Sequence, residues 1–210
     1  MTRRVSPLNM RMGPDGVTRR DGWEIPLTYV GEKTSHSPFV ADLSHVPKWA
    51  LQGRGLDDMR PAGFILPPKP GEVTFERRTL ITRLTPRECH IMALGDEIPR
   101  FEGPQYTDVT DAFASFAVVG ARCMEILNKL SSVDLEVPGR AVPRAAQAPI
   151  EDVTSLIIRL EGENNTPGLI VSVARGYGHF FLDIFMDAGK EFHVAVAGWE
   201  RFAGWLWPGK

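Results

Sequence analysis

Apolar residues in this chain fall into short runs, punctuated by proline, glycine and polar turns. Residues 23–29 read as a short opening segment, followed by a polar stretch over 32–38. Residues 40–51 are mostly apolar and stop at Gln52-Gly53, which predicts one strand ending in a turn. Pro61, Pro67, Pro68, Pro70 and Gly71 mark 60–72 as an extended loop. Two strands are predicted at 79–84 and 90–94, hinged on Thr85-Pro86-Arg87-Glu88. After a loop at 101–106, residues 112–119 alternate, with Phe116 and Val118 on one face and Ala117 and Val119 on the other.

Gly120 opens a helical period carried by Met124, Ile126, Leu127 and Leu130 and stopped by Ser131-Ser132. Residues 137–149 read as loop. Strands are expected at 154–160, 169–174 and 180–186, the first two joined by Gly162-Glu163-Asn164-Asn165. A last helix is expected over 191–206, with Phe192, Val196, Trp199, Ala203 and Leu206 on one face. About seven strands and two helices, with the strands in hairpins, predict an α+β fold with largely antiparallel sheet and packed helices. There is a faint internal duplication: Asp42-Leu43-Ser44-His45 and Asp108-Val109-Thr110-Asp111 each precede an apolar run that ends at a glycine.

Composition narrows the class. The chain has 210 residues, 43% hydrophobic and 24% charged, enough to bury a core. A net charge of −2 argues against a duplex nucleic-acid binder. No apolar run is long enough for a membrane span, and the basic start lacks a signal peptide's apolar stretch. Cys89 and Cys123 form no CxxC pair and read as reduced thiols of a cytoplasmic protein. Residues 1–20, with five arginines, read as a flexible basic arm, and 21–207 as one domain.

The chemistry is sparse. No two of the five histidines stand at i,i+4, so no metal is expected. There is no GxSxG elbow. Arg175-Gly176-Tyr177-Gly178 is glycine-rich but is expected between strands, not opening a helix, which excludes Walker and Rossmann loops. Trp23, Trp49, Tyr177 and Phe180 either line a flat pocket for a planar heterocycle or serve as ordinary core rings.

Several stretches resemble the aminomethyltransferase superfamily, the folate-binding half of the glycine-cleavage T-protein. Gly22-Trp23-Glu24-Ile25-Pro26-Leu27-Thr28-Tyr29 is similar to its opening segment, and Asp42-Leu43-Ser44-His45 to its D-apolar-SH turn. Ala117-Val118-Val119-Gly120-Ala121, then Val133-Asp134-Leu135, resemble sarcosine oxidase gamma subunits, as do Phe181-Leu182-Asp183-Ile184-Phe185 and the helix after them. The resemblance implies a folate-binding-domain-like fold. It also implies tetrahydrofolate as a cofactor, held by Trp23, Tyr177, His179 and Asp183, and a part in oxidative N-demethylation of methylated amines and one-carbon transfer. Where the family carries a catalytic aspartate this chain has Arg77-Arg78-Thr79-Leu80-Ile81, and Gly176-Tyr177-Gly178-His179 lacks the family's glutamate. No catalytic residue is therefore assigned. The gamma-subunit resemblance implies the alternative, a non-catalytic assembly subunit of a sarcosine oxidase-like flavoenzyme. Its basic arm and Trp205/Trp207 tail would then pack on larger flavin-containing partners.

Overall fold

The computed structural model describes residues 3–8, 10, 13–32, 37–136 and 141–207. Strands β1 (Pro14–Arg20) and β2 (Trp23–Tyr29) form an antiparallel ribbon. A six-stranded sheet has the order β10 (Arg144–Ile150), β11 (Val153–Glu161), β12 (Pro167–Ala174), β9 (Phe113–Val119), β3 (Phe39–Asp42), β13 (Ala195–Ala197). A five-stranded sheet has the order β5 (Val73–Glu76), β6 (Thr79–Thr85), β7 (Glu88–Ala93), β4 (Lys48–Gln52), β8 (Tyr106–Asp108). Among the described strands, every strand pairing is antiparallel except β13 with β3. The helices are α1 (Cys123–Asn128), α2 (Gly178–Ala188) and α3 (Trp199–Leu206). The architecture is α+β and mostly antiparallel, as the hairpin pattern implied.

Alternation along the strands sorts side chains into layers. Phe116 and Val118 of β9 join Cys123, Ile126, Phe181 and Phe185 beneath α1 and α2. Ala117 and Val119 face the other way, toward Leu80 and Met92 of the five-stranded sheet, Leu94 just past its end, and Phe202, Trp205 and Leu206 of α3. The far face of the five-stranded sheet, with Leu51, Ile81, Cys89 and Ile91, is covered by Leu56, Phe64 and Leu66. Both faces of the six-stranded sheet are thus buried, which is why β9 and β12 are apolar almost throughout.

Several elements differ from expectation. The run 40–51 is two strands, because the chain leaves one sheet after Asp42 and enters the other at Lys48. Residues 180–186 are helix: Phe181, Leu182 and Phe185 turn inward at helical spacing. The run 191–206 is a 3₁₀ turn (Lys190–Phe192), then β13, then α3, broken by His193 in left-handed backbone and by Gly198. Of 137–149, expected as loop, 144–149 lie in β10, and 137–140 lie outside the described residues. The arm is only partly an arm: residues 14–20 form β1, and Leu8 is fully buried. Residues 1, 2, 9, 11 and 12 lie outside the described residues.

The two repeated polar turns share a geometry. Asp42 accepts the backbone N–H of Ser44 at 2.8 Å, and Asp108 that of Thr110 at 2.9 Å. The likeness extends to their partners: Ser44 Oγ accepts Ser115 N–H and donates to its carbonyl, Thr110 Oγ1 does the same with Lys48, and Leu43 and Val109 N–H donate to those same two carbonyls, while the strands that follow lie in different sheets.

Candidate functional site

The four expected cofactor-binding residues fall into two settings. Trp23 opens β2 and is 2% exposed, its indole Nε1 without a partner and the guanidinium groups of Arg4 and Arg175 over its ring at 6.0 and 5.6 Å. Tyr177 lies outside, 48% exposed, just before α2. His179 and Asp183 stand one turn apart on α2, both about half exposed, with His179 Nε2 3.8 Å from Asp183 Oδ2. Of the other rings considered, Phe180 is exposed and Trp49 packs on Phe101 at 4.9 Å on the five-stranded sheet. Arg175-Gly176-Tyr177-Gly178 does lead from a strand into a helix, contrary to expectation, although its spacing is not that of a phosphate loop.

A buried polar centre stitches the two sheet crossovers together. Lys48 is fully buried, and its Nζ donates to the carbonyls of Leu43 (3.1 Å), Ser44 (3.1 Å) and Val46 (2.7 Å). Its backbone N–H donates to Thr110 Oγ1 at 2.9 Å, and its carbonyl accepts from Val109 N–H at 2.9 Å. Burial pushes the Lys48 ammonium down to about 7, against the pull of Asp42, Asp108 and Asp111. Burial, then the charge of Lys48, holds His45 and His90 at about 3, so both imidazoles are neutral at pH 7. Burial raises the Asp42 carboxyl, and hydrogen bonds from Ser6 and Ser44 oppose it. Lys48, saturated by carbonyls, is a fastening and not a free base.

A cleft of about 570 Å³ opens elsewhere, between α3 and the β5–β6 turn. Glu200, Ala203, Gly204 and Trp207 recur at i, i+3, i+4 and i+7, so one side of α3 forms a wall. Trp199 and Trp207 have ring centroids 6.3 Å apart, and Trp199 is braced edge-on by His45 at 5.1 Å. Arg78 faces them from a two-residue turn in which Arg77 and Arg78 both have positive φ, 47° and 57°. Such backbone costs a non-glycine residue about 1–2 kcal/mol. The Arg78 guanidinium lies 4.7 Å over Trp207. Among the described residues it makes no ion pair, and neither do Glu163 and Glu200. Asp96, also in the wall, pairs with Arg20 at 3.3 Å. Flat apolar walls, one guanidinium and three carboxylates, of which Asp96 is paired with Arg20, suit a planar ligand bearing both acceptor and N–H groups.

The sequence marked Arg77-Arg78 only as a missing aspartate and treated Trp205 and Trp207 as a tail. Trp205 is in fact buried, its Nε1 donating to Thr166 O at 3.0 Å, so it packs within this chain. The helical spacing of Glu200, Ala203, Gly204 and Trp207 was the one local signal of the cleft.

Among the described residues, no three His, Cys, Asp or Glu side chains gather as a metal would require. No described helix is long and apolar enough to cross a membrane. No protein-family model and no curated protein matches the sequence. The structure is similar to a chain of the heterotetrameric sarcosine oxidase from Corynebacterium sp. U-96, solved in complex with pyrrole 2-carboxylate. The TM-score is 0.61 at 17% identity, over 76% of this chain and 87% of that one. At that identity the likeness speaks for the fold.

Proposed function

We propose that this chain is a subunit of a heteromeric, flavin-containing amine-oxidising assembly of the sarcosine oxidase kind, and that its part there is structural. The carrying observation is the fold, which is similar over 87% of a chain from a heterotetrameric sarcosine oxidase. The split of the four expected ligand residues between a buried Trp23 and an exposed Tyr177, His179 and Asp183 supports a structural part. The test is to purify the tagged chain from its source cells. Co-purification of a flavin-containing partner, with oxidation of N-methylglycine or another N-methyl amine by the complex, is the expected result. A chain that elutes as a stable monomer with no flavoprotein sinks the reading.

The cleft favours a second reading, in which tetrahydrofolate is the ligand. Trp199 and Trp207 offer stacking faces, Glu163 and Glu200 acceptors for a pterin's N–H edge, and Arg78 a partner for a glutamyl carboxylate. Formaldehyde released by the oxidase partner would condense with N5 and N10 of the bound folate, losing water. The protein would need only to orient and shield it. Anaerobic calorimetric titration with tetrahydrofolate is expected to show one saturable site. No heat of binding removes this reading and leaves the structural one standing.

A further inference from the structure

The geometry points to Arg78 as a carboxylate-recognition residue that decides which ligands the α3 cleft accepts. This rests on the cleft being a ligand site, and not on the ligand being a folate. The guanidinium is already positioned. It lies 4.7 Å over the Trp207 ring, and the backbone carbonyl of Arg78 accepts from Leu94 N–H at 2.8 Å. The stem of Arg78 sits against a glycine: a Cβ at Gly95 would lie 3.0 Å from Arg78 Cβ, so a side chain at residue 95 would press on this turn. A guanidinium held over a ring by its face keeps its N–H donors in its own plane and open at the edge, where a carboxylate is taken by two parallel N–H bonds. Here no described residue takes those donors.

The backbone supports the same reading. A two-residue hairpin turn with positive φ at both positions favours Asn-Gly, and arginine at the second position is a poor local choice. Strain alone does not make a site, since Glu151-Asp152 joins β10 to β11 in the same way. What distinguishes Arg78 is that its strained turn carries into an aromatic cleft a cation with no ion-pair partner among the described residues. The ligand class is an organic carboxylate with a flat ring that packs against Trp199. A second, N–H-bearing group on the ligand would answer Glu163 and Glu200.

The experiment titrates the full chain with three probes: 4-aminobenzoyl-glutamate (ring and carboxylates, no pterin), 6-methyltetrahydropterin (pterin, no carboxylate) and tetrahydrofolate. Two variants accompany the wild type. Arg78→Gly removes the guanidinium while relieving the left-handed backbone, so the fold is kept. Gly204→Leu plugs the cleft, where nothing lies within 4 Å of an added Cβ. The expected result is binding of both carboxylate probes, weakened at least about ten-fold by Arg78→Gly, in line with loss of a charged hydrogen-bond pair, and abolished by Gly204→Leu. Binding of 4-aminobenzoyl-glutamate that depends on Arg78, with tetrahydrofolate no tighter, would uphold the inference and end the folate reading. Tetrahydrofolate binding that Arg78→Gly leaves unchanged would overturn the inference and keep the folate reading. Failure of both carboxylate probes to bind would overturn both.

Discussion

Lys48 shows how one residue fixes a chain path. Its ammonium replaces water with three carbonyls of the segment that crosses between sheets, so that segment can be buried without orphaned acceptors. Lys48→Met keeps the length but leaves those carbonyls unpaired, and is expected to lower unfolding stability by about 2 kcal/mol at pH 7. The pH dependence has a definite sign. The folded pKa, about 7, lies below the ordinary 10.5, so between them the unfolded chain holds the extra proton. Wild-type stability from this residue therefore rises from pH 7 upward and is lost as pH falls toward 7. The stability gap between wild type and Lys48→Met, read from urea midpoints, should widen from pH 7 to 8.5. A gap that narrows over that range contradicts the depressed pKa. The site residues named from sequence belong to this scale too. A run of residue types shows that Trp23 and Tyr177 are aromatic, but not that one is buried beneath two arginines and the other exposed.

At the scale of elements, small residues set the close approaches. A Cβ at Gly198, the N-cap of α3, would lie 2.0 Å from Leu27 O, so β2 passes directly over the start of that helix. At Gly168 in β12 an added Cβ would lie 2.5 Å from the Trp205 ring. Gly198→Ala should cost about 3 kcal/mol by pushing β2 off the helix, while Gly204→Ala, on the open side of the same helix, should be neutral or slightly stabilising. Thermal melts of the two variants check this, and a harmless Gly198→Ala would mean that α3 docks differently. The hairpin β6–β7 and the strands β9, β11 and β12 were legible because local pattern and tertiary setting agree there. Helix α2 was not. Phe180, Phe181, Leu182, Ile184, Phe185 and Met186 leave only Asp183 polar, a run too uniformly apolar for its period to be read.

At the scale of the molecule, the two sheets share one interior. Leu80 and Met92 of one pack with Ala117, Ile158 and Ile170 of the other, and α3 closes the same cluster. The crossovers after Asp42 and Asp108 run in opposite directions between the sheets and are bonded to each other through Lys48 and Thr110. Neither sheet can leave without exposing that core, so unfolding should be a single cooperative transition. Far-ultraviolet circular dichroism and tryptophan fluorescence are expected to give coincident urea curves, and two separated midpoints would show that the layers unfold independently. By itself the sequence determined the α+β class, the antiparallel hairpins and the alternation of β9 between two cores. Those follow from period-two patterning and turn residues, which act over a few neighbours. Only the tertiary structure decided that the run after Phe39 splits between sheets, that Phe181 and Phe185 lie on a helix, and that Arg78, Trp199 and Trp207 share a cleft. These depend on contacts between residues distant along the chain, where burial and not local propensity selects the conformation.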